Sequence, residues 1–130
     1  MGVPLTDMAL ELLSGKNLAW IATINPDGGP QNTPVWVDTD GTNVLFNTAE
    51  GRVKTKNLRR DGRVSVAVGD ANAPLRYVAI KGRVIDMRHE GAEEHIDKLS
   101  WKYDNKGFTK TPRQQRVIVV IEPERISEHG

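Results

Sequence analysis

The chain has 130 residues, 38% of them hydrophobic, with 18 Lys and Arg against 17 Asp and Glu for a net charge of +1. That length suits one domain over residues 1–130 with a real core and is too short for two ordinary ones. The balanced charge and 5% aromatic content argue against a dedicated nucleic-acid protein, and the lack of cysteine excludes disulfides, thiolate zinc sites and cysteine nucleophiles.

Leu5 to Leu13 reads as a short helix, which Thr6 or Asp7 can cap and Gly15 can end. Leu18 to Ile24 is a strand, apolar on both faces. Asn25-Pro26-Asp27-Gly28-Gly29-Pro30 is a turn signal. Asn32 to Asp38 is a second strand. Val35 and Val37 lie on one face of it, and Pro34 and Trp36 on the other. Proline cannot donate to a ladder, so Pro34 marks an edge or a bulge. Asp40-Gly41 predicts a tight hairpin into a third strand, Val44 to Thr48. A basic segment follows, and Asp61-Gly62 turns the chain into a fourth strand, Arg63 to Val68. Asp70 to Pro74 is a loop before a long fifth strand, Tyr77 to Asp86, in which Gly82 predicts a bulge or a close approach.

His89 to Tyr103 is helical, with Ala92, Ile96, Leu99 and Tyr103 on one stripe. Asp104 to Gln114 is a polar loop. Val117 to Ile121 is a last strand, apolar without alternation, so both of its faces should be buried. Six strands with short connections fit a β-barrel, because closure removes edges and fills the interior. Two-sided burial in so small a chain asks for a further cover, which a homodimer would supply. No run is long enough to span a membrane, and no basic-then-apolar leader opens the chain. The expected setting is the cytoplasm.

The segment from Arg52 to Arg60 holds five of the eighteen basic side chains and no acid, directly after Gly51. A strand, a Gly turn and a basic helix start can hold an anion with free N–H groups, the positive helix end and charge-assisted hydrogen bonds. Asn47, Thr48, Thr55 and Asn57 add small polar groups nearby. On an ideal helix Arg52, Lys56 and Arg59 share a face and Lys54 does not. Arg52 and Lys54 could still converge if the helix begins only after Val53. Around Pro34, freed backbone groups with Gln31 and Thr33 could meet a ligand, and Trp36 could flank a planar ring. Trp101 and Tyr103 lie near a helix end and suit a pocket wall at a subunit interface. The histidines lack metal-ligand spacing, and no nucleophile elbow or nucleotide-binding glycine motif is present. No metal site and no catalytic side chain is predicted.

Ala22-Thr23-Ile24 to Asp27-Gly28, Pro30-Gln31, Pro34-Val35-Trp36, Gly51-Arg52-Val53-Lys54-Thr55-Lys56-Asn57-Leu58 and Asp61-Gly62-Arg63-Val64 together resemble the split β-barrel flavin and deazaflavin oxidoreductases. These are relatives of pyridoxamine 5′-phosphate oxidase, and the nearest branch is similar to the B group that uses coenzyme F420. The resemblance runs from Leu18 to Ile126. It implies a mainly β fold with flanking helices and a homodimer with two cofactor sites at its interface. Arg52 and Lys54 match the residues that bind the ribityl phosphate, with Asn57 close by and Thr48 beside them. The segment Gln31 to Val37, including Thr33, Pro34, Val35 and Trp36, matches the strand along the ring. The second subunit is expected to contribute from around Trp101 to Tyr103. The chain is shorter than pyridoxamine phosphate oxidases proper, which argues against vitamin B6 oxidation.

Flavin mononucleotide (FMN) and coenzyme F420 share the phosphate. The latter also carries an oligoglutamate tail, which Lys56, Arg59 and Arg60 could steer. The expected activity is hydride transfer from reduced coenzyme F420 to a conjugated, unsaturated small molecule. The resemblance implies tetrapyrroles such as biliverdin, quinones or enone-like lactones. The alternatives are an FMN-binding oxidoreductase of the same fold and a non-catalytic carrier of a hydrophobic or anionic ligand.

Overall fold

Nine elements account for most of residues 2–130, which are those described by the computed structural model. In chain order they are α1 (Asp7–Ser14), β1 (Leu18–Ile24), β2 (Pro30–Thr39), β3 (Val44–Ala49), α2 (Val53–Arg60), β4 (Arg63–Asp70), β5 (Ala73–Arg88), α3 (Ala92–Asp104) and β6 (Arg116–His129). The strands form a closed antiparallel barrel in the order β1-β2-β3-β6-β5-β4. Thr6 caps α1, its hydroxyl accepting from Ala9 N. Asp40 Oδ1 accepts from Thr42 N and Asn43 N and so fixes the β2–β3 turn.

The barrel interior is filled by Ile21, Phe46, Val66, Ile80, Val119 and Ile121, all fully buried. Ala9, Leu12 and Leu13 of α1 pack onto the same cluster. Gly82 sits at a register shift against β6, where a Cβ would lie 2.4 Å from Glu122 O. That contact admits only glycine.

β2, β3 and β4 run one to three residues beyond the expected bounds, and two strands run much further. β5 begins at Ala73, within the predicted loop, and β6 continues to His129. Beyond Ile121, β6 carries mostly polar, partly exposed side chains and pairs with β5 through its backbone. A strand held that way leaves no apolar run to read. The burial of β6 on both faces also has a different cause from the one expected. Val117, Val119 and Ile121 face the interior, while Ile118 and Val120 pack with Leu45 and with Ala92 of α3. The second cover for this strand is a helix of the same chain.

β2 changes partner along its length. Pro30 to Trp36 pair with β1, and Val37 to Thr39 pair with β3. Pro34 lies in the stretch without a β3 partner, where a missing N–H removes no ladder bond on that side. The wall therefore parts between the first half of β2 and the second half of β3, which pairs only with β6 there. Among the described residues, no helix is long and apolar enough to cross a membrane.

Candidate functional site

A cavity of about 330 Å³ fills this gap. Pro34, Val35 and Trp36 of β2, Asn47 and Thr48 of β3, Arg52 and Lys54 at the start of α2, and Arg116 at the start of β6 line it. A second cavity of about 300 Å³ shares Ile96, Phe108, Thr111, Gln114 and Arg116 with the first. Gly51, at φ +89°, turns β3 into α2 in a conformation that favours glycine. Arg52 then sits at the N-cap of α2 and offers no side-chain cap. The N–H groups of the first turn and the positive helix end are left for an anion. Because α2 begins at Val53, Arg52 is outside the helix, and it reaches the same cavity as Lys54.

Three cations thus meet at one place. Lys54 is only 8% exposed, and burial, then Arg52 and Arg116, lower its pKa below the ordinary lysine value. Burial, then Arg52, pushes the Arg116 guanidinium down to about 10. Among the described residues no carboxylate pairs with Arg52, Lys54 or Arg116. Arg52 is exposed and Arg116 half-buried, so it is the buried Lys54 for which a missing counter-charge is unfavourable unless a ligand supplies one. Arg116 is held firmly: its Nε donates to Asn47 Oδ1 at 2.9 Å and its Nη1 to Gln114 Oε1 at 2.9 Å. The guanidinium carbon lies 5.2 Å from the centre of the Phe108 ring.

The residues predicted from sequence divide into those at the cavity and those drawn elsewhere. Pro34, Val35, Trp36, Asn47, Thr48, Arg52 and Lys54 line it. Thr55 Oγ1 donates its one proton to Ala49 O at 2.8 Å, so at 3.1 Å from it Thr48 Oγ1 is the donor. Thr48 therefore presents lone pairs to the cavity rather than a proton.

Gln31 and Asn57 are taken up by the barrel end. Thr23 Oγ1 donates to Gln31 Oε1 and accepts from Asn57 Nδ2, which also donates to Asn25 Oδ1. Thr33 pairs with the core residue Ile21, and its buried hydroxyl has no partner. Trp101 is 55% exposed and does not line the cavity. Tyr103 is buried in its own subunit, stacked on Trp36 at 5.4 Å with its hydroxyl donating to Asn17 O. It backs the cavity wall.

Arg116, Gln114 and Phe108 were not singled out by the sequence. The only hint is a basic residue just before the apolar run of β6. Of the three basic residues foreseen as steering a tail, two have protein partners on the surface. Arg59 pairs with Glu50, and Arg60 donates to Ile24 O and Asn57 Oδ1. Among the described residues no three His, Asp or Glu side chains are placed to hold a metal ion.

A six-stranded barrel with a small-molecule cavity at a split wall defines the class. The chain belongs to the pyridoxamine 5′-phosphate oxidase family, whose model it matches over residues 5–130. Among solved structures it is similar to one described as an F420 reductase, with 31% identity, TM-score 0.81, and coverage of 90% of this chain and 94% of that one. It is also similar to a conserved hypothetical protein of Mycobacterium tuberculosis, with 25% identity, TM-score 0.71, and coverage of 94% and 81%. HupZ of Group A Streptococcus shares the fold at 22% identity, TM-score 0.70, and coverage of 95% and 92%. The family is one of flavin- and deazaflavin-type oxidoreductases.

Proposed function

We propose that the chain is a deazaflavin-dependent oxidoreductase that binds the phosphate of coenzyme F420 with Arg52, Lys54 and Arg116. The observation that carries this reading is the convergence of those three cations, without a carboxylate partner, beside Pro34 to Trp36. The group fits because the cavity already has the charge that a phosphate neutralises and the planar Trp36 face that a ring system can approach. Bound there, the reduced coenzyme would supply the hydride that reduces a conjugated, unsaturated small molecule. Arg52 and Lys54 bind the phosphate, Arg116 orients it, and Trp36, stiffened by Tyr103, holds the ring edge and excludes water.

The similarity to an F420 reductase favours the deazaflavin over FMN. Of Lys56, Arg59 and Arg60 only Lys56 has no protein partner among the described residues, which leaves fewer free cations for an oligoglutamate tail. The working unit is a homodimer. Leu18 and Trp20 are each about half exposed on the outer face of β1, next to the cavity. A second copy would bury that strip and complete the open side of the site.

The test is a titration of the purified protein with coenzyme F420 and FMN side by side. Tighter binding of coenzyme F420 is expected. Replacing Arg52 and Lys54 together by alanine should weaken it at least about a hundredfold, at roughly 1.5–3 kcal/mol per charge-assisted contact. Binding unchanged by the double substitution would remove the phosphate assignment, and tighter binding of FMN would reassign the cofactor.

A further inference from the structure

Behind the cavity the buried polar groups form one connected chain, with each member on a different element. Asp38 is on β2, His95 on α3, Asn47 on β3 and Arg116 on β6. Asp38, His95 and Asn47 are each less than a tenth exposed. His95 Nε2 lies 3.1 Å from Asp38 Oδ2, and His95 Nδ1 lies 3.2 Å from Asn47 Nδ2. Asn47 Nδ2 also donates to Ala92 O at 2.8 Å, while Asn47 Oδ1 accepts from Arg116 Nε at 2.9 Å.

These contacts fix every proton in the chain. An Arg Nε–H can only donate, so the amide oxygen of Asn47 must face Arg116. A carbonyl can only accept, so the amide nitrogen must face Ala92 O. The same nitrogen arrives at His95 Nδ1 as a donor, and Nδ1 must therefore be a lone pair. The imidazole proton is then on Nε2, where Asp38 accepts it. Asp38 is further held by Lys98 Nζ at 3.3 Å. Turning the Asn47 amide over would set its nitrogen against Arg116 and its oxygen against Ala92 O. Losing the Nδ1 acceptor removes one of the groups that prevents this.

We propose that His95 and Asp38 are positioning residues of the cofactor site, acting through the Asn47 amide to hold the Arg116 guanidinium toward the cofactor's phosphate. Neither lines the cavity. Their role rests on the phosphate reading above for its purpose, but the relay itself exists in the free protein and is testable there.

The test combines spectroscopy of the free full-length protein with binding of FMN and coenzyme F420 as probes. Long-range proton–nitrogen spectra should show His95 as the Nε2–H tautomer and a sharp, slowly exchanging Arg116 Nε–H signal. The variant H95N keeps a carbonyl oxygen where Nδ1 stands, whereas H95Q keeps an N–H where Nε2 stands and offers Asn47 nothing. H95N should retain the Arg116 signal and bind the probes within about twofold of the parent, and H95Q should broaden the signal and bind about fivefold more weakly, the size of one hydrogen bond. Asp38→Ala should shift the tautomer toward Nδ1–H and weaken binding as H95Q does. A role confined to packing would make H95N and H95Q alike. An Nδ1–H tautomer in the parent, or an Arg116 signal identical in the two His95 variants, overturns the relay. If the parent binds neither probe, the phosphate reading fails, while the tautomer and the Arg116 signal still decide the relay.

Discussion

Lys54 is a buried ammonium beside two guanidinium groups, and the free protein should be more stable without that charge. Its folded pKa lies below the ordinary lysine value. Between the two values the unfolded chain holds more protons, so the contribution of Lys54 to stability rises with pH up to the ordinary lysine value of 10.5 and is least favourable below the folded one. Lys54→Met is therefore expected to raise the melting temperature of the ligand-free protein by roughly 3 to 5 °C, for about 1 kcal/mol of relieved burial. It should at the same time weaken binding of coenzyme F420 at least about tenfold. Melting curves with and without the coenzyme measure both, and a variant that melts lower in the free state would mean the ammonium has a protein partner. Arg52 and Lys54 were legible in the sequence because neighbours in the chain announce a charged cluster. Arg116 was not, since only the pairing of Ala49 with Arg116 across β3 and β6 brings it to them. Asn57, Gln31 and Thr33 lie outside the cavity lining, which the sequence did not show for a related reason. A small polar side chain near a turn looks the same whether it meets a ligand or, as with Gln31 and Asn57, closes a barrel end.

At the scale of elements, the site depends on where β2 exchanges β1 for β3. Val37 stands at that exchange, and its N–H donates to Tyr103 Oη at 3.1 Å. Lys102 of the same helix turn donates to Leu13 O and Val37 O. The end of α3 therefore replaces ladder bonds that β2 loses at the split, and it fixes Trp36 from behind. Tyr103→Phe leaves the Val37 N–H buried without an acceptor. The expected loss is about 1–3 kcal/mol of stability in denaturant titration. Retained stability would show that the split does not need this bond. The apolar stripe of α3 was readable from its period, and Pro34 announced an edge. The partner of that edge was not readable, because strand order is set by contacts far apart in sequence. The far half of β6 was hidden for a different reason, since it pairs by backbone alone and its side chains carry no pattern.

For the whole molecule, the question is what covers the outer face of β1. Burial of β6 on both sides does not require a second subunit, since Ala92 of α3 covers Ile118 and Val120. The case for a homodimer rests instead on Leu18 and Trp20, which flank the open cavity at about half exposure. Leu18 pairs with Trp36 and Trp20 with Pro34, so the strip is continuous with the cavity wall. A partner laid on this strip would bury two large apolar side chains per copy, about 1.5–3 kcal/mol for each on full burial. It would also roof the site, so association and cofactor binding should be coupled. Trp20→Lys places a charge in that contact without touching the barrel interior. The expected result in sedimentation velocity is a monomer where the parent is a dimer, with the melting profile of the barrel still cooperative. Coenzyme F420 should then bind more weakly to the variant although Arg52, Lys54 and Arg116 are all intact. A parent that sediments as a monomer, or a monomeric variant that binds the coenzyme as tightly as the parent, would place the whole site within one chain.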